Sequence, residues 1–247
     1  DVRNLSADQK IERQWCTSIN SCTKEEQNVY LAQYFNLTGA DVNKVESYTQ
    51  VKIQAGNSYP KSVARTDCSG ATCTYEQELQ NFSNWYSYHR TRMRVAIAGT
   101  AESFYSIPGV YRVGYGRINK SSAASVDGSP NITTVEQGVR VFDNVSGGGK
   151  ADFYNWLFSQ APKNGGTPLR RALDAVGQYY SYTDNKGPWG ATPGTSTTTP
   201  QLACRRSFHL LMTDGMWNNA GAATTAATNN VDWSTGPSIT GPNSQSY

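Results

Sequence analysis

The chain has 247 residues, and Lys and Arg outnumber Asp and Glu by 22 to 19, a net charge of +3. So small a surplus argues against nucleic acid or another polyanion as the partner. The longest apolar runs, residues 95–98 and 210–212, fall far short of the roughly 20 residues that a membrane helix needs, so a soluble chain with no transmembrane segment is expected. No charged-then-apolar leader follows Asp1, and any signal peptide is expected to have been removed or to lie upstream.

Residues 1–74 are dominated by Asn, Ser, Thr and Gly and read as an inserted or appended region, with short helices expected at 7–15 and 24–35. Two cysteine pairs staple it. Cys16 and Cys22 are six apart, Cys68 and Cys73 five apart, and neither pair has the C-x-x-C spacing or the nearby His of a zinc site. Two local disulfides and an oxidising compartment follow. Cys204 is left over.

The core is expected from residue 75 to 247, with clear patterning to 218 and loop or disorder from Ala220 onward, where Ala, Thr, Asn, Gly and Ser leave little to bury. Thr74-Tyr75-Glu76-Gln77 fits a capping box, and Leu79, Phe82, Tyr86, His89, Met93, Ala96 and Thr100 recur at steps of three and four. One long helix from 74 to about 104 is expected. Residues 110–118 read as a strand rich in Val, Tyr and Ile, with a shorter strand at Val139-Arg140-Val141-Phe142 and a polar stretch between them.

Residues 150–160 place Phe153, Trp156, Leu157 and Gln160 on one helical face. A further helix follows Thr167-Pro168, an N-cap and a first-turn proline, with Leu169, Ala172, Leu173, Val176 and Tyr180 as its stripe. Residues 207–213 are apolar on both faces, the pattern of a strand buried in a parallel sheet. This order of elements predicts an α/β fold, a doubly wound, mostly parallel sheet flanked by helices.

Ligands of such sheets gather beyond the carboxyl ends of the central strands. Asp214 directly follows the 207–213 strand, and Thr167 follows the Gly165-Gly166 turn. Taken singly, Thr167 suits a helix cap and Asp214 a turn. Together, a hydroxyl and a carboxylate are hard oxygen ligands suited to Mg²⁺ or Ca²⁺.

Gly165-Gly166-Thr167-Pro168-Leu169-Arg170-Arg171-Ala172-Leu173 and Leu210-Leu211-Met212-Thr213-Asp214-Gly215 resemble the second and third loops of the metal-ion-dependent adhesion site of von Willebrand factor A domains. The blocks running from Asn81 through Tyr88-His89-Arg90-Thr91-Arg92-Met93 and from Cys204-Arg205-Arg206-Ser207 through Asp214-Gly215-Met216-Trp217-Asn218 resemble the PilC/PilY family of type IV pilus biogenesis factors and tip adhesins. The resemblance spans about residues 75–218. It implies an extracellular place at the pilus tip, pilin or minor pilins as partners, and a surface or host receptor that presents a carboxylate. It also implies that Thr167 and Asp214 hold one divalent cation whose open position takes that carboxylate.

The family's first ligand loop, Asp-x-Ser-x-Ser after an apolar strand, is missing. Asp67-Cys68-Ser69-Gly70-Ala71 has alanine at the second serine position and reads as a disulfide loop. The first strand is expected upstream of Asp1, which leaves the site incomplete here. The rival classes are a structural pilus-assembly module without a working metal site and a metal-assisted hydrolase. No enzyme is expected: the two histidines, His89 and His209, lie in a helix stripe and a strand, no G-x-S-x-G elbow occurs, and in a strand Cys204 and His209 point to opposite faces. The run Arg90, Arg92, Arg94 reads as a solvated or salt-bridged helix face.

Overall fold

The computed structural model describes residues 3–18, 20–120, 123–144, 149–161, 166–195, 198–199, 201–202 and 204–213. They form two compact units, one up to Ala98 and one from Gly99.

In the first unit, β1 (Asp8–Ser18) and β2 (Ser21–Tyr30) make an antiparallel ribbon. Helices were expected in both stretches, and the disulfide explains the correction. Cys16 and Cys22 are direct cross-strand partners and are bonded to each other. Six residues apart on a helix, they would lie about 9 Å apart along the axis and on different faces, beyond the reach of a disulfide. The second expected helix also runs into β3 (Gln33–Leu37), which pairs antiparallel with β4 (Tyr48–Lys52). A short pair, β5 (Tyr59–Pro60) and β6 (Thr72–Cys73), leads into α1 (Tyr75–Tyr88). The expected pair Cys68–Cys73 is bonded, beside α1's first turn. Ala32, Ile53, Tyr59 and Phe82 are the buried centre of this unit, with Tyr34, Val51, Leu79 and Tyr86 packed around them.

The capping box forms as predicted: Thr74 accepts from the Gln77 amide and the Gln77 side chain accepts from the Thr74 amide. The single long helix does not form. α1 stops at Tyr88 and α2 (Arg92–Tyr105) starts afresh, because the Thr91 hydroxyl accepts the Arg94 amide at 3.3 Å and offers the chain a second helix start. The stripe of apolar residues runs through this break, so periodicity alone hides it.

The second unit corrects the fold class. Among the described residues every strand pairing is two-stranded and antiparallel, and no doubly wound parallel sheet is present. Parallel neighbours need a crossover of a dozen or more residues, usually a helix. Here β7 (Arg112–Gly116) and β10 (Val135–Val141) pair antiparallel, and the polar stretch between them folds on itself as the hairpin β8 (Ala124–Val126) and β9 (Ser129–Ile132). Its turn is Asp127-Gly128, with φ of 52° and 87°. Both values lie in the left-handed region that a two-residue hairpin of the primed type requires.

α3 (Gly149–Phe158) lays Phe153 and Leu157 against β7 and β10. Phe153 meets Phe104, Phe142 and Tyr115 at centroid distances of 5.0, 5.4 and 5.6 Å, an aromatic core whose centre, Phe142, is 1% exposed. α4 (Leu169–Tyr180) buries Ala172, Ala175 and Tyr179, with Val176 packed on Val126, Val135 and Val139. Leu173, expected in the buried stripe, is 55% exposed, because the hairpin meets the helix on its alanine side. Residues 207–213, expected as a buried strand, pair with no strand among the described residues, and Phe208 and Leu210 are 82% and 75% exposed. An apolar run becomes a strand only where a neighbour supplies ladder hydrogen bonds. Nothing after Thr213 lies within the described residues, so the expectation for 220 onward falls outside them.

Candidate functional site

Of the two predicted metal ligands, Thr167 is described and Asp214 lies outside the described residues. Thr167 is half-buried and sits one residue before the cap of α4. The cap position itself belongs to Pro168, so Thr167 is not the N-cap expected from Thr167-Pro168. The loop is held from β7: the Asn119 amide, three residues past that strand's end, donates to the Gly166 carbonyl at 2.9 Å. Lys120 beside it donates to the Val135 carbonyl at 3.0 Å. Thr167 therefore stands where a strand end and a helix start converge.

A hard divalent cation takes six or more oxygens. Thr167 brings one hydroxyl, and no group of three His, Cys, Asp or Glu side chains gathers at Thr167 among the described residues. The group of that kind which the described residues do contain is Asp67, Cys68 and Cys73. Its sulfurs are bonded to each other, and Asp67 is paired with Arg65 at 2.6 Å, so it is a structural knot and not a metal centre. Arg65 also reaches Glu78 at 2.7 Å. The hydrogen bonds from Arg65 hold the Asp67 carboxyl below its ordinary 3.8. Burial, with a hydrogen bond to Glu78, pushes the Tyr34 phenol up to about 12.

A second polar cluster, missed in the sequence, joins the hairpin to α4. Asp127, its side chain 4% exposed, accepts from both terminal nitrogens of Arg140 at 2.9 and 2.6 Å and from the Tyr179 hydroxyl at 2.7 Å. Tyr179 in turn accepts the Val139 amide at 2.9 Å. Burial first, then the bond to Asp127, raises the Tyr179 pKa far above that of an ordinary phenol. Both terminal nitrogens of Arg140, the Asp127 carboxylate and the Tyr179 hydroxyl are engaged with one another, so the cluster clasps the fold. The Asp-Gly dipeptide between two short β-prone runs was its available signal.

Cys204 is exposed and carries no disulfide. No described helix is long and apolar enough to cross a membrane.

No family model matches the chain and no solved structure matches it. Curated relatives do. The type IV pilus biogenesis factor PilY1 of Pseudomonas aeruginosa strain PAK is 32% identical over 225 residues, which are 89% of this chain and 17% of the relative. The protein of the same name from strain PAO1 is 39% identical over 147 residues, 59% of this chain and 12% of the relative. That from strain UCBPP-PA14 is 28% identical over 208 residues, 83% and 15%. The chain thus spans between about one eighth and one sixth of the length of these relatives. Over most of its length this chain is homologous to the type IV pilus biogenesis factor PilY1.

Proposed function

We propose that the chain serves in type IV pilus biogenesis and surface adhesion, as an extracellular binding module at the pilus tip that meets pilus subunits on one side and a surface receptor on the other. The observation that carries this reading is the homology to PilY1 across 89% of the chain. Two local disulfides suit an oxidising, extracellular setting. The test is a chimera: the aligned 225 residues of the PAK relative are deleted, or replaced by this chain, and surface pili are sheared and counted. Loss on deletion with restoration by the replacement supports the reading; undiminished piliation in the deletion strain sinks it.

The adhesive step is proposed to use a divalent cation, Mg²⁺ or Ca²⁺, held in part by the Thr167 hydroxyl and the Asp214 carboxylate. Two features favour it. Asn119 pins the Thr167 loop through Gly166. The Tyr180 hydroxyl, at the far end of α4, lies 3.4 Å from the Phe208 carbonyl and donates to it. Thr167 precedes α4, and the segment that leads to Asp214 is tied to that same helix at Phe208. When bound, the cation would supply an open coordination position for a carboxylate. Calorimetric titration of Mg²⁺ and Ca²⁺ into the chain and into Thr167→Ala and Asp214→Ala is decisive. Binding that both substitutions weaken supports the assignment, and binding that neither affects removes these residues from it.

A further inference from the structure

We propose that the corner between α1 and α2, presenting Trp85, Tyr88, Arg90 and Arg94, docks an acidic segment of a protein partner. From Leu79 to Ala101, 23 residues, the chain has no carboxylate and three arginines. The stretch itself therefore carries three positive charges with no acidic residue between them, as large a surplus as that of the whole chain, +3.

Two of the three, Arg90 and Arg94, are held by uncharged partners. The Arg90 guanidinium stacks 4.1 Å above the Tyr86 ring, and Arg94 donates to the Ser87 carbonyl. Neither makes an ion pair among the described residues, so of the solvated or salt-bridged face expected from sequence these two do not form the salt-bridged alternative. A ring and a carbonyl fix the side chains yet use few of the five N–H donors each guanidinium carries. A carboxylate that docks here meets donors already oriented, which lowers the ordering cost of binding.

Beside them α1 turns Phe82 into the core and leaves Trp85 49% and Tyr88 66% exposed. Aromatic residues with arginine are the composition of interface hot spots. Charge complementarity selects the occupant: a peptide segment bearing Asp or Glu.

Titrating a hexaglutamate peptide into the full 247-residue chain at low salt tests this. Binding is expected, weakened on the order of fivefold or more by Arg90→Gln and by raising the salt. Tyr88→Ala, an exposed position, is expected to weaken it as well, while Lys10→Gln on the β1 ribbon leaves it unchanged. Circular dichroism confirms that each variant keeps its helices. Equal affinity of the parent, Arg90→Gln and Tyr88→Ala overturns the proposal. So does binding to phosphatidylglycerol vesicles without binding to the peptide, which would reassign the corner to a lipid surface.

Discussion

The Tyr179 hydroxyl on α4 donates to the Asp127 carboxylate in the β8–β9 turn at 2.7 Å, and through it the hairpin and the helix share one buried polar knot. Tyr179→Phe leaves the Val139 amide and part of Asp127 without a partner, and is expected to cost about 1–3 kcal/mol of stability in urea denaturation. Asp127→Ala is expected to cost about 3 kcal/mol, near the low end for breaking a buried pair, because the Arg140 side chain keeps 30% exposure. A Cβ at Gly138 would press on the Asp127 carboxylate and the Tyr179 hydroxyl, so Gly138→Ala is expected to destabilise by about 1–3 kcal/mol. Unchanged midpoints for all three would show that the knot does not hold the second unit together.

Arg65 bridges Asp67 and Glu78, and Glu78 is 4% exposed. Arg65→Ala strands a buried carboxylate and is expected to lower stability by about 3 kcal/mol. The same knot predicts two pH limits. The Asp67 carboxyl is held below 3.8, so its contribution is present above that value and fades as the pH falls through the lower folded value. The Tyr34 phenol is raised from 10.0 to about 12, so its contribution is present below pH 10.0 and is lost as the pH climbs toward 12. Melting temperature against pH, with Asp67→Asn and Tyr34→Phe as references, checks both limbs.

The two disulfides are expected to differ in weight. Cys68 and Cys73 are 5% and 0% exposed, in the wall of the first unit, and opening so short a loop costs about 2 kcal/mol in the chain-entropy account. Cys16–Cys22 closes the tip of a ribbon whose outer half is exposed on both strands. Replacing Cys68 and Cys73 by Ala should lower the midpoint of the first unit clearly. The matching Cys16, Cys22 double variant should chiefly increase amide exchange in the ribbon.

Thr74 and Thr91 each start a helix, Thr74 in a reciprocal capping box and Thr91 through one bond to the Arg94 amide. Thr74→Ala is expected to cost about 1 kcal/mol and Thr91→Ala somewhat less. A Thr91→Ala chain that gains helicity, by contrast, would show that the break after Tyr88 depends on this cap.

Much of the fold was legible where the signal was local. The capping box at Thr74, the pairing of Cys16 with Cys22 and of Cys68 with Cys73, and the helix over Phe153 and Leu157 all depend on residues within a few positions of one another. The Asp127-Gly128 turn was equally local, and treating its surroundings as merely polar hid both the hairpin and the clasp built on it. Of the candidate metal ligands, sequence pointed to the Thr167 loop, but not to Asn119, which holds it from 47 residues away.

By itself, then, the sequence determined the covalent staples, the helix start at Thr74 and the kinship with PilY1, because each is carried by neighbouring residues or by their order along the chain. Tertiary structure alone decided strand direction, which face of α4 is buried, and the exposure of Phe208 and Leu210. An apolar pattern states what must leave water, but hydrogen-bond partners distant in sequence choose where it goes.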